Sequence, residues 1–272
     1  MQRTAWTDLP AALTWAVEAR TGRILEARTA TAGENSPLAA FIRSESGTTF
    51  VKGIPADHRR VITQSREAAV TPFVQGISPA LLWQFNEAGW TVLGYAYVEG
   101  RHADYRPGSP DLDALVHLMT ALGKIKIPGD PLFKRAEDRW KTYVATPEEA
   151  TLFAGDTLAH SDWAPDNVLV SADQAWLIDW AWPTLSAPWL DAASWILRLI
   201  AAGGHTPREA ELTAFRVPAF EASDPDHVDA FAAANVRLWT EIANSNPTTW
   251  TKEMAQAAWD WSQHRRPRAT SA

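Results

Sequence analysis

The chain has 272 residues, with 25 Lys and Arg against 32 Asp and Glu, a net charge of −7 and no cysteine. A chain this long can bury a substantial core in two lobes that share a cleft, while the lack of cysteine excludes disulfides, thiolate metal sites and a cysteine nucleophile and fits a reducing compartment. The acidic balance argues against a nucleic-acid partner and is compatible with a cationic substrate.

In chain order, Asp8 and Pro10 open a helical pattern that stops at Gly22. Three β-prone runs follow at residues 24–30, 39–43 and 48–52, separated by the turn-rich pieces 31–36 and 44–47, which predicts an antiparallel meander. Lys52 ends the third run and is the only lysine before Lys124; Glu67 lies on the next predicted helix, residues 58–70. Residues 81–85 and 90–98 read as two more strands, the second leading into Glu99-Gly100. Beyond this point the pattern is mostly helical. Leu112, Leu115, Leu118, Met119 and Leu122 recur at the spacing of a core helix over 111–124. Thr146-Pro147-Glu148-Glu149 and Thr206-Pro207-Arg208-Glu209 both match a capping box with proline at the first helical position. Asp224-Pro225 opens another helix, and Asn246-Pro247 precedes a last one that reaches Trp261.

No stretch approaches the ~20 uninterrupted apolar residues of a membrane span; the best, residues 192–202, is short and contains Arg198. Residues 9–17 are broken by Pro10 and Thr14 and lack the apolar run of a signal peptide. A soluble, cytoplasmic protein without membrane or nucleic-acid partners is expected.

The stretch His160-Ser161-Asp162-Trp163-Ala164-Pro165-Asp166-Asn167 has the form HxDxxxxN, and a second acidic position follows at Ile178-Asp179-Trp180. Residues 168–170 and 175–178 are β-prone runs around the polar turn 171–174, a hairpin. With Val170 opposite Ala175, Asn167 falls opposite Ile178, which puts Asn167 and Asp179 at the open end of the ladder within reach of one ion. Asp162 then projects over the same pocket, set back from the metal. A base for a hydroxyl and two oxygen ligands for magnesium are the parts that phosphoryl transfer needs.

These residues, with Leu190-Asp191-Ala192-Ala193 downstream, resemble the aminoglycoside phosphotransferase and choline kinase family, whose catalytic stretch reads HGDxxxxN followed by IDW or IDF; the likeness is clearest over residues 158–195. The resemblance implies an α+β, bilobal protein-kinase-like fold, with a β-rich nucleotide-binding lobe at 1–98 and a mainly helical catalytic and substrate-binding lobe at 99–272. It also implies ATP or GTP as donor, Mg2+, and a small-molecule hydroxyl as acceptor. Asp162 would be the catalytic base, Asn167 and Asp179 the magnesium ligands, and His160 a brace for the loop. Lys52 would meet the α- and β-phosphates, oriented by Glu67. The turn holding Gly33 and Ser36 would cover the phosphates, and the backbone from Tyr95 through Tyr97 to Val98 would meet the adenine edge. Three positions depart from the pattern: Ser161 replaces a glycine, Ala164 stands where a Lys or His often approaches the γ-phosphate, and Asp166 adds negative charge beside the metal.

Of the 15 tryptophans, Trp163, Trp180, Trp182, Trp189 and Trp195 crowd around this motif. Most read as packing residues, with Trp163 and Trp182 the candidates for a wall against an aromatic or cationic substrate. A protein kinase fits less well, because Ser161 sits where an arginine is expected, Trp180-Ala181 replaces Phe-Gly and no A-P-E follows. A metal-dependent hydrolase lacks an HxxxH-type ligand pair. A nucleotide-binding module without catalysis is the alternative, on the strength of Ala164 and the sparse phosphate loop. An aminoglycoside, another amino-sugar antibiotic, a choline-like alcohol or a cellular metabolite all fit as acceptor, and donor choice and oligomeric state stay open.

Overall fold

The computed structural model describes residues 3–31 and 36–266. The chain divides into two compact units, residues 1–100 together with 176–181, and residues 101–175 together with 182–272.

The first unit begins with α1 (Ala11–Thr21), which Gly22 ends at φ 76°, a conformation that costs glycine nothing. Next come β1 (Ile24–Thr29), β2 (Leu38–Ser44), β3 (Gly47–Pro55), α2 (Ile62–Val70), β4 (Leu81–Glu87) and β5 (Trp90–Ala96). The five strands form one antiparallel sheet in the order β1-β2-β3-β5-β4. Leu13 and Val17, one helical turn apart on α1, are fully buried in a core with Leu9, Leu38, Ala40, Ile42, Val51 and Val92, so one face of the sheet is covered by the helix. Gly94 is fixed by contact: a Cβ there would stand 2.3 Å from the Trp83 ring on the neighbouring strand. The helix expected over 58–70 starts only at Ile62, because residues 58–61 form successive turns.

The second unit contains β6 (Arg101–His102), α3 (Asp111–Leu122), β7 (Lys134–Arg135), α4 (Ala136–Trp140), α5 (Pro147–Thr151), β8 (Thr157–Ala159), β9 (Val168–Val170), the start of β10 (Ala175–Leu177), β11 (Thr184–Ser186), α6 (Leu190–Ala201), α7 (Pro207–Ala214), α8 (Pro218–Glu221), α9 (Pro225–Ser245) and α10 (Thr249–Arg265). β11 pairs in parallel with β7 and antiparallel with β8, while β9 pairs antiparallel with β6. The expected hairpin turn is closed by Ser171 N–H donating to Gln174 O at 2.9 Å. Phe231 of α9 anchors an aromatic core, with ring centroids 5.2 Å from Trp140, 5.3 Å from Phe153 and 5.6 Å from Trp189.

The Thr206 capping box forms as expected, whereas the Thr146 side chain makes no cap bond; Glu149 instead accepts the Ala145 N–H at 2.8 Å. The last helix follows Asn246-Pro247 as expected and is capped by Thr248. Among the described residues no helix is long and apolar enough to cross a membrane. The chain is thus α+β, with an antiparallel sheet in its N-terminal part and a helical C-terminal part.

Candidate active site

In the first unit the β3–β5 register pairs Phe50 with Tyr95 and Lys52 with Leu93. Since side chains alternate along a strand, Lys52 and Tyr95 share one face of the sheet. Glu67 reaches this face from α2. Lys52 Nζ donates to Glu67 Oε1 and to Asp179 Oδ1, each at 2.7 Å, and Tyr95 Oη donates to Glu67 Oε2 at 3.4 Å. Lys52 and Glu67 are both buried. Asp179 arrives on the returning segment 176–181, which is tied down by Leu177 N–H donating to Ile77 O at 2.8 Å and by Trp180 Nε1–H donating to Ser78 Oγ at 3.2 Å. Its φ of 64° is the left-handed conformation, which a non-glycine residue adopts at a cost of about 1 kcal/mol or more.

Burial alone would lower the Lys52 pKa, but the carboxylates of Asp179 and Glu67 outweigh it and the pKa is raised. Burial pushes Glu67 up to about 7 although the Lys52 ammonium pulls it down. The two shifts have different causes: burial dominates at Glu67, with the Asp179 charge adding to it, while at Lys52 the two carboxylates together overcome burial. Burial, then the charge of Glu67, holds Tyr95 well above its ordinary value.

Of the other residues expected at the nucleotide, Gly33 lies outside the described residues. Ser36 is buried, and its carbonyl accepts from Arg3 Nη1 at 2.5 Å. Tyr97 is exposed and meets the edge of Phe41, at 5.8 Å between centroids, rather than joining the Lys52 cluster.

In the second unit the loop carrying the HxDxxxxN stretch leaves β8 and is held by Asp191, in the first turn of α6. Its two oxygens accept the backbone N–H groups of His160 and Ser161, each at 2.8 Å. Burial raises the Asp191 pKa against the pull of those bonds. Fully buried His160 accepts the Asp162 N–H at Nδ1, at 3.3 Å, and Asn167 Nδ2 donates to Asp162 O at 3.0 Å. The loop is therefore tied at both ends of the HxDxxxxN stretch. Ser161, in the expected glycine position, has φ 64°. Its hydroxyl donates to Trp182 O at 3.1 Å and accepts from Arg139, which also donates to Thr184 Oγ1 at 2.6 Å. A serine can hold this turn because its side chain is bonded at the spot a glycine would leave empty.

Asp162 Oδ1 accepts from Arg198 Nη2 at 2.7 Å, while Oδ2 has no hydrogen bond among the described residues and the side chain is 31% exposed. Arg198 is itself buried and lies 5.0 Å from the Trp250 ring centroid and 5.6 Å from that of Trp239. Arg198 and Arg139 were not among the expected site residues, and Asp191 was singled out only as part of the downstream stretch that carries the resemblance. Asp191 and Arg198 sit two helical turns apart on α6 and so share one of its faces, but nothing in the sequence marked that face as the one turned to the loop. Trp163, expected as a wall residue, is fully buried and accepts the Tyr105 hydroxyl at its carbonyl. It is packing, and the partly exposed rings against Arg198 are Trp239 and Trp250. Trp182 is partly exposed, with Lys134 Nζ 4.9 Å over its ring.

No protein-family model and no curated protein sequence matches the chain. Solved structures do. The choline kinase LicA from Streptococcus pneumoniae aligns over 93% of this chain and 99% of its own at TM-score 0.65 and 15% identity, and its complex with AMP over 90% and 93% at 0.60 and 13%. An aminoglycoside phosphotransferase from Alicyclobacillus acidocaldarius aligns over 95% and 96% at TM-score 0.59 and 14% identity. The macrolide 2'-phosphotransferase MphH from Brachybacterium faecium aligns over 90% and 97% at 0.55 and 16%. Along nearly its whole length, the chain has the protein-kinase-like α+β fold of these small-molecule kinases.

Proposed function

We propose that the protein is a small-molecule kinase that transfers the γ-phosphoryl group of ATP or GTP to a hydroxyl. The observation that carries this reading is the buried Lys52 ammonium held between Glu67 and Asp179, an arrangement that presents a fixed cation to phosphate oxygens. The structural likeness to a choline kinase solved with AMP supports the nucleotide.

Asp162 is the base. Arg198 fixes one carboxylate oxygen, and Oδ2 accepts the acceptor's proton as the acceptor oxygen bonds to the γ-phosphorus. The bond from that phosphorus to the β–γ bridging oxygen breaks, and the nucleoside diphosphate leaves. Magnesium takes hard oxygen donors. The Asp179 carboxylate and the Asn167 amide oxygen, whose orientation is fixed by the Nδ2 bond to the loop, belong to that class. When bound there it would neutralise phosphate charge.

The test is incubation with magnesium and ATP or GTP against a panel of polyols, sugars, amino sugars and amino alcohols, with product read by mass. A gain of one phosphoryl group that falls by about 10²-fold or more in Asp162→Asn, while nucleotide still protects the variant against heat, is the expected result. Nucleotide protection without any product would point to a non-catalytic nucleotide-binding module; neither product nor protection would overturn the reading.

A further inference from the structure

The kinase reading leaves the acceptor unnamed, and the surroundings of Asp162 in the second unit restrict its chemistry. Two tryptophan rings, Trp239 from α9 and Trp250 from α10, meet edge to face with centroids 5.3 Å apart. Such rings attract cations. Here the cation is part of the chain: the Arg198 guanidinium lies against both rings and is paired with Asp162. The aromatic surface that would draw a substrate ammonium is occupied by an internal positive charge, and a second cation beside it would meet like charge.

The same guanidinium has hydrogen-bonding capacity to offer. Of its five N–H groups, one donates to Asp162 Oδ1 and one to the Met254 sulfur at 3.6 Å. The others have no partner among the described residues, and none of the Arg198 nitrogens is both sealed from solvent and unpaired. Trp250 is 48% exposed. The base thus has an open carboxylate oxygen, with surplus donors and a flat apolar ring beside it.

We propose, on the basis of the kinase reading, that the acceptor presents lone-pair oxygens next to the reacting hydroxyl, as the hydroxyls of a neutral sugar or polyol or the carboxylate of a sugar acid do, and carries no ammonium there. The reacting hydroxyl donates to Asp162 Oδ2, the neighbouring oxygen accepts from Arg198, and the C–H face of the ring packs on Trp250. This differs from the cationic acceptor with which the net charge and the tryptophans near the motif are compatible.

Calorimetric titration of the full chain at neutral pH with a hexose, its uronic acid and its 2-amino counterpart tests the proposal. The hexose or the uronate, whichever arm carries the oxygen that Arg198 reads, binds at least about tenfold more tightly than the amino sugar. Arg198→Met brings the three within about threefold of one another. Trp250→Ala, at a position 48% exposed and with its folding checked by thermal midpoint, weakens the preferred member about tenfold and keeps the order. Equal binding of all three, preference for the amino sugar, or indifference to Trp250→Ala overturns the acceptor class. Protection by magnesium and ATP against heat is measured alongside. Its presence with an amine preference sinks the acceptor class alone, and its absence with no phosphorylated product sinks the kinase reading.

Discussion

Lys52 carries two carboxylates on one ammonium, and this sets a pH dependence. Glu67 has a folded pKa raised to about 7 from an ordinary value of 4.5, so the folded state holds its proton more tightly than the unfolded state. The sign follows: the stabilisation is complete below about 4.5, is lost as pH rises to about 7, and changes no further above that. Urea midpoints of the parent chain are therefore expected to fall across that window, and those of Glu67→Gln to stay flatter. Ser161 gives a second residue-scale expectation. Ser161→Ala keeps the left-handed backbone and loses the bonds to Arg139 and Trp182, whereas Ser161→Gly loses the bonds and relieves the backbone. The alanine variant should be less stable than the glycine variant by about 1 kcal/mol in urea unfolding, and both should fall below the parent. The Lys52–Glu67 pair was legible because the N-terminal part supplies a single lysine and the next helix a glutamate, whereas Asp179 was expected beside Asn167 and its bond to Lys52 was not foreseen. Arg198 was not legible, since an arginine inside an apolar helix reads as an interruption until the partner on another element is known.

The capping boxes separate two elements that look alike in sequence. Thr206 Oγ1 accepts the Glu209 N–H and its own backbone N–H donates to the Glu209 carboxylate in return, so Thr206→Ala is expected to cost about 1 kcal/mol. Thr146, with the same motif, makes no cap bond, and Thr146→Ala should change stability by less than about 0.5 kcal/mol. The difference arises because Glu149 is diverted one residue back to Ala145, which no local pattern specifies. Strands of the first unit were legible from alternation and turn residues, with ends shifted by one to three residues where pairing with a neighbour prolongs them, as in β3. β7 and β11 were not anticipated, because runs of two and three residues carry no periodicity and are defined by pairing with neighbouring strands, β7 with β11 and β11 with β8 as well. Glycine positions can be tested in the same way. Gly155→Ala would push a Cβ to 2.3 Å from the Ser186 carbonyl oxygen beside β11, a backbone contact that cannot rotate away, and its thermal midpoint should fall by several degrees.

At the scale of the whole chain, the sequence pattern changes from strands to helices near Gly100, and that change is where one compact unit ends. What composition could not reveal is that six later residues, 176–181, belong to the earlier unit. The unit is discontinuous. A fragment ending at Gly100 would keep Lys52 and Glu67 but lose Asp179, and with it half of the negative charge that keeps the lysine protonated in a buried setting. Swapping the first hundred residues between relatives therefore exchanges a lysine without its second counter-ion, so that grafts and truncations at the visible boundary would be expected to fail unless the short segment around Asp179 travels with them.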